Sequence, residues 1–327
     1  MTVAPVIFAE IMSMVKSAVV PEMSHVFKAP PRAEIDAAAA PFIQKRMPLQ
    51  SAEWQDLYNQ AARKERKIYF RYRLKQWLPT RKHARPQTLV STHYETHWSS
   101  LEWPRTIDPK PEKPVLCTWG DEGLLVRRYG RKRAHHLVFA RWLRGQPLGT
   151  ALEVGCGNCI NLLIMAALFP HIQWQGVELT EAGVAVGRSV ANEPELPEVL
   201  QQFAIEPIQS KTGHRAVKFQ QGDASKLPFP DKSFDLVFSF QALEQMQIIR
   251  DKAVREMVRV ARKYVVMTEP LSDFNQTEIQ HHYMRSRGYL DLGTDELGGF
   301  GLEPIFVFGD MPQKLTTGVG IAISRVL

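Results

Sequence analysis

Hydrophobic positions are spread unevenly along this chain. After Gly149, short apolar runs alternate with longer helical segments, whereas the first 150 residues show no such rhythm. Runs at 151–154, 174–179, 216–221, 234–240, 264–268, 304–308 and 318–324 have the length of strands. Segments at 159–168 and 181–191 read as helices between them. Strands alternating with helices make βαβ units. The pattern therefore predicts an α/β fold with a doubly wound, mostly parallel, seven-stranded sheet and right-handed crossovers. The last two runs leave no room for a crossover helix, so they are expected to pair as a hairpin and make one edge strand antiparallel. Residues 192–214, polar and holding three prolines, read as an insertion.

Ahead of the alternation the pattern is looser. Residues 1–50 read as weakly organised, with 37–40 as a short helix capped by Asp36 and stopped by Pro41. Residues 51–78 read as a helix with Ser51 as its cap and Glu53 in its first turn. Residues 79–120, rich in prolines and aromatics without either period, read as an extended linker or lid. A second basic helix is expected from Leu124 to about Leu143, ending near Gly145 and Pro147. The chain thus divides into 1–120, a basic and mainly helical N-terminal extension, and 121–327, the α/β domain.

Charge sharpens that division. Residues 1–150 hold 25 Lys and Arg against 13 Asp and Glu, while the remainder holds 16 against 21. An anionic partner would dock on the N-terminal half. No apolar stretch approaches the ~20 residues that span a bilayer. The mildly apolar N-terminus is interrupted by Glu10 and lacks a basic lead. Three cysteines, Cys117, Cys156 and Cys159, are too few for a disulfide framework and suit a reducing compartment. A soluble, cytoplasmic protein without a membrane span is the expectation.

The chemistry gathers between the first strand and its helix, in Glu153-Val154-Gly155-Cys156-Gly157-Asn158. Two glycines permit a tight turn and a close backbone approach to a ligand at the carboxyl edge of the sheet. A dinucleotide fingerprint would carry a third glycine where Ile160 stands, so a pyrophosphate site is disfavoured. Glu178, ending the second strand, is positioned for two hydrogen bonds to ribose hydroxyls. Asp223, after the third strand in Gly222-Asp223-Ala224, could accept from an adenine amino group or cap a turn. Together these acids describe a nucleoside pocket without a phosphate site, as S-adenosyl-L-methionine requires.

Residues 151–158, 177–179, 222–224 and 229–246 resemble the successive motifs of class I S-adenosylmethionine-dependent methyltransferases, in the branch with small-molecule and quinone-type enzymes. The stretch Phe229-Pro230-Asp231-Lys232-Ser233-Phe234-Asp235-Leu236-Val237 matches that branch's lead into strand four. It runs on into Ala242-Leu243-Glu244-Gln245, where the family usually has Leu-Glu-His. The resemblance implies a Rossmann-like core and S-adenosyl-L-methionine as cofactor. It puts Glu153 near the methionine end, with Gly155, Cys156, Gly157 and Asn158 as the loop beneath. It puts Glu178 and Leu179 at the ribose, Asp223 and Ala224 at the adenine, and Phe240 and Gln241 after strand four. Tyr129 or Arg131, just ahead of the core, would meet the cofactor's carboxylate. Asp273, His281, His282 and Tyr283 would orient or deprotonate an acceptor, and Arg285 would hold an anionic group.

Other patterns have plainer readings. Cys156-Gly157-Asn158-Cys159 fits a redox pair or half a zinc site, but the chain has no second such pair, so incidental cysteines are preferred and no metal is expected. The seven basic residues between 63 and 75, interleaved with Tyr69, Phe70 and Tyr72, could bind nucleic acid. A solvated helix with its aromatics on the core is the preferred reading. His135-His136 are candidate bases, with an ordinary, partly exposed pair as the preferred reading. The acceptor is expected to be a small molecule, anionic or lipid-like. The alternatives are an RNA methyltransferase, which would lose RNA affinity steeply with salt, and a non-catalytic nucleoside-binding scaffold.

Overall fold

The segment Phe234–Phe240 buries all seven of its residues, the mark of a strand covered on both faces in the middle of a sheet. The computed structural model describes residues 27–76, 87–99 and 114–327. The N-terminal part runs α1 (Arg32–Ala39), β1 (Ile43–Pro48), α2 (Ala52–Gln76), α3 (Gln87–Ser99), β2 (Val115–Trp119), β3 (Glu122–Val126) and α4 (Arg128–Arg144). The core begins with β4 (Thr150–Val154), α5 (Ile160–Leu168), β5 (Gln173–Glu178), α6 (Glu181–Ala191), α7 (Glu198–Phe203) and β6 (Lys218–Gln221). It continues with β7 (Phe234–Phe240), α8 (Arg250–Val260), β8 (Ala261–Glu269), α9 (Glu278–Arg287), β9 (Leu302–Phe308), β10 (Gln313–Lys314) and β11 (Gly320–Val326).

The main sheet has the order β6-β5-β4-β7-β8-β11-β9. Its first five strands are parallel. This is the doubly wound, mostly parallel, seven-stranded sheet expected, with N-terminal helices beside it. Helix α5 is apolar except for Asn161 and buries all nine residues, as a helix enclosed by protein does. Helix α8 buries only Ala253, Val254, Met257 and Val260, the single stripe of a surface helix. Asp235 ties the core's edge together, accepting from Gly149 N and pairing with Arg262. No helix among the described residues is long and apolar enough to cross a membrane.

Three local expectations are corrected. Strands β9 and β11 do pair antiparallel, but β11 lies inside the sheet, antiparallel to β8 as well, and the edge strand β9 is not the one that runs against both its neighbours. The chain leaves the sheet between them to form β10 elsewhere, and so returns on the inner side. Leu124 does not open a helix: it is fully buried in β3, and α4 begins at Arg128. The first helix starts at Arg32 behind Pro31, which places Asp36 in its interior, where it pairs with Arg46. Ser51 does cap α2, accepting from Trp54 N at 3.2 Å.

A second sheet, β1-β3-β2-β10, is antiparallel throughout and was not foreseen. With α2 it encloses a small core of Met47, Leu49, Trp54 and Leu315. Its β2–β3 hairpin turns at Gly120, whose φ of +59° lies in the left-handed region that glycine tolerates. Residue 120 therefore sits within this sheet, between two paired strands.

Candidate active site

The loop from β4 to α5 turns on Gly155 and Gly157, with φ of +72° and +54°. The Gly155 and Cys156 amides both donate to the Val177 carbonyl, at 2.8 and 3.2 Å, which fixes the loop against β5. A side chain at Gly155 would stand 2.6 Å from Ala242 Cβ, and one at Gly157 would stand 2.9 Å from the Trp98 ring.

Glu178 braces the same loop. Its Oε2 accepts from Gly157 N at 2.9 Å, and its Oε1 accepts from Thr180 N and Thr180 Oγ1. Thr180 in turn caps α6. Burial pushes the Glu178 carboxyl above its usual range, against these hydrogen bonds. The group still lines the cavity in front of the loop.

Behind the loop lies a buried polar chain. Asn161 Nδ2 donates to Glu153 Oε1 at 2.6 Å, while Asn161 Oδ1 faces Lys132 Nζ at 3.0 Å and His136 Nε2 at 2.8 Å. That amide orientation makes both Lys132 and His136 donors. Burial, then Lys132, pushes the His136 imidazole down to about 3, so it is neutral with its proton on Nε2. Burial raises the Glu153 carboxyl, and its Oε2 has no partner. His135 and His136 are therefore buried, contrary to the partly exposed pair expected. Their neighbours Leu137, Val138 and Phe139 are packed into the core as well.

One cavity of about 640 Å³ collects most of the residues expected to serve a site. Tyr129, Arg131, Gly155, Cys156, Gly157, Asn158, Glu178, Leu179, Ala224, Phe240, Gln241 and Tyr283 all line it. The Arg131 Nε and Nη1 atoms are buried there without a partner. Glu153 sits just beneath. Asp223 is not among the lining residues, although both its neighbours are. Its Oδ1 accepts from Ser225 N at 2.8 Å and closes a turn.

The residues expected to act on an acceptor scatter. Of Asp273, His281, His282 and Tyr283, only Tyr283 reaches the cavity. Asp273 accepts from Thr294 N and Thr294 Oγ1 at the start of a short 3-10 turn. His281 and Arg285 are exposed. The His282 ring stacks on Tyr69 of α2, with centroids 4.2 Å apart. Helix α9 thus presents Tyr283 to the cavity and His282 to α2.

Sequence reasoning missed several lining residues. Tyr94, His97 and Trp98 come from α3 and form a wall of the cavity. Glu95 of the same helix accepts from Ala182 N and seats α3 on the start of α6. Glu244, Met246, Tyr289, Lys314 and Thr317 line the cavity as well. The Tyr289 phenol bonds to Gln245 and Tyr283, and burial raises its pKa, so it stays protonated. Glu269 lies behind, fully buried, accepting from Ala242 N and Leu243 N and pushed up to about 8 by burial. The Cys156 and Cys159 sulfurs lie 3.7 Å apart, both buried. No group of three or more His, Cys, Asp or Glu among the described residues is placed to hold a metal ion.

Residues 152–266 match the methyltransferase domain family. The chain is 34% identical to the ajmaline N-methyltransferase of Rauvolfia serpentina over 110 residues, covering 34% of this chain and 31% of that one. It is 44% identical over 153 residues to an uncharacterized methyltransferase, YcgJ, of Bacillus subtilis (strain 168), covering 46% of each. The match therefore spans less than half the length of these curated relatives. Among solved structures, the [4+2]-cyclase SpnF superposes with a TM-score of 0.51 at 18% identity, covering 75% of this chain and 97% of that one. That likeness concerns the fold. Over residues 152–266 the core of this chain is thus similar to class I S-adenosylmethionine-dependent methyltransferases, a family whose cofactor is S-adenosyl-L-methionine. The residues present fit such a group: left-handed glycines leave room at the backbone, a carboxylate faces the cavity at Glu178, and Glu153 Oε2 and Arg131 hold unpartnered polar atoms beside it.

Proposed function

We propose that the protein transfers the methyl group of S-adenosyl-L-methionine to a small-molecule acceptor. The observation that carries this reading is that one cavity gathers both the glycine loop with Glu178 and a group of side chains suited to an acceptor. The Gly155–Gly157 loop, Glu178, Leu179 and Ala224 would hold the cofactor, with Arg131 toward its carboxylate. Glu244, Gln245, Tyr283 and Tyr289 would hold the acceptor.

The cofactor supplies an electrophilic methyl on a sulfonium, so the chain's own work is to align a nucleophile and exclude water. Tyr289, kept protonated by burial, would donate a hydrogen bond to the acceptor. Glu244 is the carboxylate on that wall and would accept a proton if the acceptor must lose one. Lys314 suits an anionic group, and Met246, Ile248 and Ile249 suit an apolar body. Helix α3 is read as the part of residues 1–120 that closes over the glycine loop, with the Trp98 ring against Gly157 and Glu95 on Ala182 N.

Methyl transfer from labelled cofactor, offered separately to metabolite, lipid and RNA pools, tests the reading. Label is expected in a small molecule or lipid. Label confined to RNA sinks the small-molecule assignment, and failure to bind the cofactor or its demethylated product sinks the enzyme assignment altogether.

A further inference from the structure

Helix α2 carries seven basic residues between positions 63 and 75 and a single acid there, Glu65. That acid is buried and paired with Arg287 at 3.0 Å. The inward face of α2 is fixed on α9 by Arg66 with Glu278 at 2.7 Å and by Tyr69 stacked on His282. The outward face has no such cover among the described residues. Phe70 is 63% exposed and Leu74 is 56% exposed. At helical spacing they continue a ridge begun by Arg63 and Lys67, both exposed. Arg73 flanks the ridge on one side, Lys64 and Arg71 on the other.

Two large apolar side chains inside a frame of cations, on a helix with no exposed acid over that stretch, complement one kind of surface. We propose that the outward face of α2 docks on an anionic lipid bilayer. The cations meet the headgroup charge, while Phe70 and Leu74 enter the boundary between headgroups and acyl chains. RNA fits the face less well. A stacking platform needs successive exposed rings, yet Tyr69 is turned inward on His282 and Leu74 has no ring. The cavity lies one helix away, because α9 supports α2 on one side and lines the cavity with Tyr283 on the other. Ile248, at the cavity itself, is 54% exposed, and Leu89, beside the lining residue Val90, is 63% exposed. Docking would therefore bring the cavity close to a membrane-borne acceptor. That last consequence rests on the proposed function, whereas docking itself does not.

Co-sedimentation of the full chain with phosphatidylcholine vesicles, with and without phosphatidylglycerol, tests the proposal at low and high salt. Binding is expected only with phosphatidylglycerol, and high salt should release it. Phe70→Ser/Leu74→Ser and Arg63→Glu/Lys67→Glu should each weaken binding roughly tenfold or more. All four side chains are exposed, so cofactor binding by calorimetry should be unchanged and will confirm that the variants are folded. Equal binding to both vesicle types, no binding to either, or double variants that bind like the parent would overturn the proposal. So would a mixed transfer-RNA pool that binds through the same four residues while vesicles do not. An enzyme that docks but transfers no methyl group would leave this surface standing and overturn only the proposed function.

Discussion

The two groups of residues that line the cavity, one proposed for the cofactor and one for the acceptor, are built in opposite ways. The residues proposed for the cofactor come from adjacent strand ends and one loop: β4 gives Glu153 beneath the cavity, the next turn gives Gly155 to Asn158, and β5 gives Glu178. Backbone hydrogen bonds hold them, from Gly155 and Cys156 to Val177 and from Gly157 to Glu178. The residues proposed for the acceptor come from the turn after β7, from α9 and the segment that follows it, and from β10, which lie far apart in sequence. A site of the first kind serves one ligand shared by a family, and its geometry is fixed by the sheet. A site of the second kind can change with each loop while the sheet stays as it is.

The comparison breaks first at the glycine turn. Gly155→Val would set a branched side chain against Ala242, where even a lone Cβ stands only 2.6 Å away, in a backbone with φ of +72°. Cofactor affinity should fall at least about a hundredfold, the scale of a few kcal/mol for overpacking a close contact. Calorimetry on the folded variant reads this directly. Unchanged affinity would mean that the turn is not the cofactor's seat.

Glu178→Ala should cost less but still act on the cofactor's group alone. It removes an acceptor facing the cavity and also the partner of Gly157 N and Thr180 Oγ1. Hydrogen bonds to charged groups are worth about 1.5–3 kcal/mol. Affinity for the cofactor should therefore drop roughly tenfold or more, with far-ultraviolet circular dichroism preserved. A variant that binds like the parent removes Glu178 from the ribose.

This contrast also explains what the sequence made legible. The sheet was readable because its strands are apolar runs bounded by turns, and β7 and α6 were located to the residue. The loop glycines and Glu178 were readable because adjacent strand ends keep a fixed register. The second sheet was harder: β2 and β3 are short, and their pairing with β1 and β10 is long-range. A signal was nevertheless present, since Gly120-Asp121 between two apolar runs is a hairpin turn. Of the proposed acceptor wall, the sequence singles out Tyr283 alone as a group acting on an acceptor. Tyr283 and Tyr289 meet through packing, and nothing in local sequence separates Tyr283 from His282. Asp273 illustrates the opposite trap, an acid in the right region whose carboxylate is taken up by Thr294.

Buried acids supply a third test, on stability. Burial raises Glu153 and holds Glu269 up at about 8, whereas both titrate near 4.5 when exposed. Between those values the unfolded chain loses protons that the folded chain keeps, so stability should fall as pH rises from about 4.5 to 8 and level off above. Glu269→Gln keeps an acceptor for Ala242 N and Leu243 N without the titration. Its denaturant midpoint should decline less over that range than the parent's, by the equivalent of about 1 kcal/mol or more. Parallel curves would place the pH dependence elsewhere. Because Glu269 secures the turn bearing Glu244 and Gln245, a flattened curve would also show that this turn rests on a protonated carboxyl.

The finest test separates two neighbours on α9. Tyr283 lines the cavity and bonds to Tyr289, while His282 stacks on Tyr69 and faces Glu278 at 3.7 Å. If the cavity is where transfer occurs, Tyr283→Phe should lower kcat/KM for the acceptor returned by the labelling screen by roughly tenfold, the worth of one lost hydrogen bond. His282→Ala should lose about 0.5–1.5 kcal/mol of stability through the missing ring contact, with kcat/KM within about twofold of the parent. Both should bind cofactor normally, since neither side chain touches the glycine turn or Glu178. The informative outcome is the reverse one. If His282→Ala abolishes turnover while stability and cofactor affinity hold, the reacting group lies on the α2 side of α9. The acceptor would then bind between those helices, and the cavity would not be the place where the methyl group moves.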